Sequence, residues 1–444
     1  MAKLPRITVM PPGPYARKLL SRDEQLISPS YMRLLPLAVK SGEGCILRDV
    51  DGNEYIDLSA GLACLNLGHQ HPKVVEAIKN QCSSLIHYPF DAFYREDALV
   101  LAEKLIEIAP GSFEKKVFFD NSQSEAIETA LKLSRWHTRK QLFLSFIGAS
   151  HGQTFGALSV SASDIRERSH FFQLLPGVIH VPYPYCYRCF LKQNYPDCHC
   201  SCVDFIEDMI LRKLAPPEDV AAITIEPIQW RGCVVAPQEY FSRLRKLADK
   251  YDFLLVDDES RTGIGRTGKW FAIEHWNIEP DILCCGNVLA SGLPLAATIA
   301  KSKLMDWMEG SHAGSSGGNP LSCAAAIAVI DAIKEERLLE NAVKQGTYIL
   351  KRLRELKDEC EIIGDVRGKG LMIGLEIVEN LETSRASNEQ AREIVLRAWR
   401  QGVITTLTDP STIVLTPPLT ITREVIDGAM EIICDVIREV ASER

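Results

Sequence analysis

Three consecutive acids, Asp257, Asp258 and Glu259, follow the apolar residues 254–256. The apolar run reads as a short buried strand. Acids just past the C-terminal end of such a strand stand where α/β sheets bind ligands. His151 is the matching proton-transfer group. Held by Asp258 and taking a proton from Ser260 or Ser150, it would complete a Ser-His-Asp arrangement. Ser150 and His151 are chain neighbours, which makes a mutual side-chain bond difficult, so Ser260 is the better nucleophile candidate. No oxyanion hole is legible. Trp230 adds a flat apolar wall, and Arg231 and Arg261 add forked positive charge suited to carboxylate or phosphate. The plainer alternative is that each arginine pairs with a retained acid. Cys186, Cys189, Cys198, Cys200 and Cys202, with His199 among them, have a spacing that zinc sites also use. The expected reading is a loop insertion with thiols or disulfides and no metal.

These residues sit at the ends of regular elements. Residues 116–119, 141–147, 221–225, 254–256 and 282–285 read as strands. Segments 97–108, 126–137 and 239–251 have helical period. Alternation of the two from about 110 to 300 implies a largely parallel sheet. Residues 45–58 alternate around Asp51-Gly52 as a hairpin. Residues 12–34 look like an N-terminal arm, and 389–401 and 421–440 close the chain as helices. The expected division is 1–75 as an arm and part of a small domain, 76–328 as a large α/β domain, and 329–444 as the C-terminal small domain.

Residues 258–268 read DESRTGIGRTG, 279–282 read EPDI, and 286–289 read GNVL. With 121–125 (NSQSE), 148–152 (GASHG) and 226–232 (EPIQWRG), this chain resembles the class III aminotransferases of pyridoxal phosphate (PLP) fold type I. That family includes acetylornithine, ornithine and 4-aminobutyrate aminotransferases and related amino-acid racemases, and the resemblance covers nearly the whole chain. It implies an α/β fold of that type, with a large domain on a mainly parallel sheet and a small α+β domain. It also implies a homodimer in which the loop around Ser315 completes the neighbour's site, and PLP as the ancestral cofactor. In that pattern Asp258 faces the pyridine nitrogen, Ser122 and Ser124 hold the phosphate at a helix N-terminus, and Glu226 and His151 are retained.

The departures gather at positions that would touch cofactor or substrate. Asn287 stands where the family has its Schiff-base lysine, and an amide cannot form that link. Gln123 replaces a glycine of the phosphate cup. Ser150 and Ser260 replace the residues on the two faces of the ring, and Arg261 replaces a glutamine that meets the ring oxygen. Trp230 and Arg231 replace a glycine and an acid. The scaffold glycines, prolines and apolar runs are kept. Covalent PLP is therefore not expected. The chain reads as a scaffold inactive in transamination, with a small-molecule pocket remodelled by engineering or selection. A hydrolase built on Ser260 or Ser150 and a natural pseudoenzyme are the alternatives.

The bulk numbers fit such a protein. The 444 residues carry a formal charge of −8, with 46% hydrophobic and 24% charged residues. That balance argues against nucleic-acid and membrane-surface partners. No apolar run reaches the length of a membrane span, and residues 1–14 lack the apolar core of a secretory signal. The expected location is the cytoplasm.

Overall fold

The computed structural model describes residues 4–286 and 288–443. They form two compact units, Lys73–Glu336 and a smaller one made of residues up to Pro72 with those from Arg337 onward. In the larger unit, seven strands share one sheet. These are β1 (Lys115–Asp120), β2 (Leu142–Phe146), β3 (Val178–Val181), β4 (Val220–Ile225), β5 (Leu254–Asp258), β6 (Ile282–Cys285) and β7 (Ala296–Lys301). Their spatial order is β1-β7-β6-β5-β4-β2-β3. β7 runs antiparallel to both neighbours and the other pairings are parallel. Parallel strands are covered on both faces, so they read as continuous apolar runs. All six residues of β4 are buried.

Helix α1 (Gln123–Thr138) starts where Ser122, in extended conformation, accepts the Glu125 backbone N–H on its hydroxyl. The Glu125 carboxylate accepts the Asn121 backbone N–H at 2.6 Å. The helix ends where Arg139 turns to φ 60°. Its buried stripe, Ala126, Ile127, Ala130, Leu131 and Leu133, packs in one core with Phe143, Ala222, Val256 and Ile282. Helix α2 (Tyr240–Tyr251) buries Tyr240, Phe241, Leu244 and Leu247. Full burial of each such apolar side chain contributes about 1.5–3 kcal/mol. Helix α3 (Pro320–Glu335) crosses the 328/329 boundary drawn from sequence. It stays with the larger unit, tied to the helix Glu96–Ile108 by Lys104–Asp331 at 2.5 Å and Lys334–Glu107 at 2.8 Å.

β5 is longer than the sequence implied. Asp257 and Asp258 lie inside the strand, with Asp257 opposite Ile225 and Leu283, and Asp258 opposite Cys284. Successive strand residues face opposite sides of a sheet, so the run of acids is divided. Asp257 is buried with no hydrogen bond to either carboxylate oxygen. Burial, with the charges of Glu259 and Asp258, pushes its carboxyl well up.

The smaller unit carries a meander, Val39–Glu43, Ile46–Asp49 and Glu54–Asp57, with Val403–Ile404 added parallel to its last strand. A four-stranded antiparallel sheet, Ile363–Lys369, Met372–Ile377, Thr412–Leu415 and Thr406–Asp409, completes it. No helix among the described residues is long and apolar enough to cross a membrane.

Candidate functional site

Gln123, His151, Glu226 and Ser260 follow the C-terminal ends of β1, β2, β4 and β5, and Asp258 is the last residue of β5; this is the edge at which α/β sheets bind ligands. Asp258, 2% exposed, is the centre. Its Oδ2 accepts from His151 Nδ1 at 2.8 Å and from the Gln123 side-chain amide at 3.0 Å. Its Oδ1 accepts the Ser260 backbone N–H at 3.0 Å. The same Gln123 amide donates to the Ser150 carbonyl at 2.8 Å. Gln123 therefore ties the ends of β2 and β5 to the start of α1.

Burial alone would push the His151 imidazolium down. The bond to Asp258, that carboxylate's charge and the charge of Glu226 outweigh it, so the net direction is upward. Glu226 accepts the backbone N–H of Ser150 at 3.0 Å and of Trp230 at 3.1 Å. Burial pushes its carboxyl up to about 7 against the nearby His151 cation. Glu259 stands apart from this group. It accepts from Thr262 and from the Ile273 backbone, and burial pushes it up to about 7.

The two hydroxyls at the start of α1 have structural partners. Ser122 caps the helix, and Ser124 accepts the Gln153 backbone N–H at 3.0 Å. Ser315 lies exposed on a turn. Arg231 pairs with Glu167 at 2.7 Å, and the Arg261 guanidinium lies 5.2 Å from the centre of the Trp230 ring. Arg231 thus has an acid partner, but Glu167 is not one of the retained acids that the plainer alternative named. Asn287 lies outside the described residues. The five clustered cysteines carry free thiols. Among the described residues no group of three or more His, Cys, Asp or Glu is placed to hold a metal ion.

The Ser-His-Asp arrangement is only half assembled. His151 and Asp258 are bonded, but His151 Nε2 and Ser260 Oγ are both buried without a hydrogen-bond partner. A base that activates a hydroxyl needs that bond.

Two groups had no signal in the sequence. Glu167 is 64 positions from its partner Arg231. Asp120, at the end of β1, accepts from Thr129 at 2.7 Å and Thr298 at 3.1 Å, and burial pushes it up to about 7. Thr129 also bonds His312 at 2.8 Å, at the head of the Ser315 loop.

Residues 27–437 match the family described as aminotransferase class-III. The chain is 42% identical over 451 aligned positions to the alanine/serine racemase of Pyrococcus horikoshii, covering 99% of this chain and 94% of the relative. It is 38% identical to the probable 4-aminobutyrate aminotransferase of Bacillus subtilis, with 83% and 84% covered. Among solved structures, a thermostable (S)-enantioselective omega-transaminase from Thermomicrobium roseum superposes with a TM-score of 0.88 at 31% identity, covering 96% of this chain and 99% of that one. This chain belongs to the class III aminotransferases, a family of PLP fold type I.

The family implies PLP. The residues around Asp258 do not fit that group in the arrangement the family resemblance implies. The carboxylate oxygen Oδ2 already accepts two donors from inside the chain. A methyl group built on Gly286 would sit 2.8 Å from Ser260 Oγ and 3.0 Å from Gln123 Cα.

Proposed function

We propose that this protein is a class III aminotransferase-family scaffold that does not carry out lysine-dependent PLP chemistry. It keeps a remodelled pocket for a small molecule. The observation that carries the reading is the closed set of bonds at Asp258, made by Gln123, His151 and the Ser260 backbone. Asn287 in the place of the family's lysine agrees with it. The protein is further proposed to be a cytoplasmic homodimer. Free thiols at all fourteen cysteines suit a reducing compartment.

The test is to incubate purified protein with PLP, treat it with borohydride and look for retained cofactor in the absorbance spectrum and the protein mass. The expected result is an unmodified mass and no retained absorbance after desalting. Cofactor trapped on the unaltered chain would mean that another lysine serves, and the reading would fall.

A further inference from the structure

Gln123 is the first residue of a sixteen-residue helix, where a polar side chain ordinarily turns to water. Here it turns inward and is 8% exposed. Its amide nitrogen spends its two protons on Asp258 Oδ2 and the Ser150 carbonyl. A primary amide that donates one N–H to a buried carboxylate copies the hydrogen bond of a protonated ring nitrogen, N–H to carboxylate oxygen. The packing is close here, since a methyl group built on Gly286 would sit 2.8 Å from Ser260 Oγ and 3.0 Å from Gln123 Cα.

A second observation is independent of that packing. His151 Nε2 and Ser260 Oγ belong to side chains that are fully buried, and neither atom has a hydrogen-bond partner. One is on the ring bonded to Asp258 and the other lies two residues along the chain from it. Buried polar atoms are ordinarily satisfied, and each exception calls for an occupant or a function. Gln123 meets the carboxylate but leaves these two atoms orphaned, as expected where a side chain fills a site built for a larger polar group.

We infer that Gln123 is an intramolecular occupant of the site at Asp258, and that it shuts this site to flat, cationic nitrogen heterocycles. The inference deepens the proposal above, because it rests on a cofactor site as the origin of the pocket. It assigns the closure to one side chain. Removing that side chain takes away one of the two donors to Asp258 Oδ2, leaving the His151 bond, and empties the space the amide fills, with no lysine required.

The experiment uses pyridoxamine 5′-phosphate as probe, an amine that cannot form an imine with a lysine. Binding is measured by calorimetry and by the shift in melting temperature, for the full-length protein and for Gln123→Ala and Gln123→Ser. Two small replacements guard against a variant that fails to fold. The expected result is no saturation of the unaltered protein at millimolar probe and at least a tenfold rise in affinity in the folded variants. Pyridoxamine without the phosphate is expected to bind the variants more tightly as well, since the ring nitrogen, not the phosphate, meets Asp258. Tight binding by the unaltered protein, or folded variants that bind no better than it, overturns the inference. A borohydride-trapped lysine would instead overturn the proposed function, and the amine probe would still read Gln123 by itself.

Discussion

Asp258 accepts three hydrogen bonds in a site sealed from water, and two of them come from side chains that differ in kind. His151 is an imidazole held in one orientation, while Gln123 is a neutral amide. Any ring nitrogen that approaches must displace the amide. A hydrogen bond to a charged group contributes about 1.5–3 kcal/mol. Loss of each ring-stacking face adds roughly 1 kcal/mol. The sum is about 4 kcal/mol, or roughly three powers of ten in binding. Asn287→Lys alone is therefore expected to leave transamination under about 1% of that reached when Gln123→Gly, Ser150→Phe, Ser260→Val and Arg261→Gln are added. Initial rates of amino-group transfer at one fixed PLP concentration that saturates neither variant check this. Equal rates in the single and the fivefold variant would mean that the other four positions are tolerated neighbours. The contact between Arg231 and Glu167 is a second matter at this scale. Both side chains are about one-fifth exposed, at 20% and 19%. Glu167→Gln is expected to lower stability by about 0.5–1 kcal/mol, measured by urea denaturation, and no change in the midpoint would count against a stabilising pair.

Strand ends in the larger unit hold protons that an unfolded chain would release. Asp120 at the end of β1, Glu226 after β4 and Glu259 after β5 are each pushed up to about 7 by burial, from ordinary values of 3.8 for Asp and 4.5 for Glu. A carboxyl raised in the folded state stays protonated while the unfolded chain ionises. Its contribution is therefore fully present below the ordinary value and lost as the pH rises through about 7. Asp281 has the opposite sign. Burial opposes its ionisation, but Arg245 and Lys301 bring the net shift downward, so its contribution is lost only in stronger acid. The melting temperature is thus expected to be higher at pH 5 than at pH 8. Asp120→Asn, which keeps the shape and can still bond Thr129 and Thr298, should shrink the corresponding difference in unfolding free energy by on the order of 1–3 kcal/mol. A flat profile, or one unchanged by the substitution, would remove Asp120 from the account. Sequence carried these elements well where burial on both faces made a strand apolar at all but one position, as in β4, or where a stripe recurred every three to four residues, as in α2. It misplaced the acids of β5, because charged residues interrupt the apolar run while the ladder to β4 and β6 continues through Asp257 and Asp258. The bonds of Gln123 to Asp258 and of Thr129 to His312 span 135 and 183 positions, and no local pattern announces them.

Assembly is decided by what the larger unit leaves open to solvent. The stretch around residues 85–94 exposes Leu85, Ile86, Tyr88, Phe93 and Tyr94, with Ile86 at 62% and Tyr94 at 98%. That many large apolar side chains in ten residues is a patch of the kind that marks an interaction surface. The patch is joined to the Ser315 loop. Arg95, itself 9% exposed, donates to the Tyr88 carbonyl at 2.8 Å and to the Gly318 carbonyl at 2.6 Å. The Asn319 side chain reaches the Ile86 carbonyl at 3.4 Å. One buried guanidinium thus fixes an apolar surface and the exposed Ser315 turn as a single feature. A second copy of this chain, related by a twofold axis, would cover it with the same surface. We therefore expect a homodimer at micromolar concentration by light scattering, and a shift toward monomer in the double variant Ile86→Glu, Tyr94→Glu. Fully burying two such side chains contributes roughly 1.5–3 kcal/mol each, so their loss is expected to weaken association by at least a hundredfold. A folded monomer in the unaltered protein, or a dimer indifferent to both charges, would place the interface elsewhere or remove it.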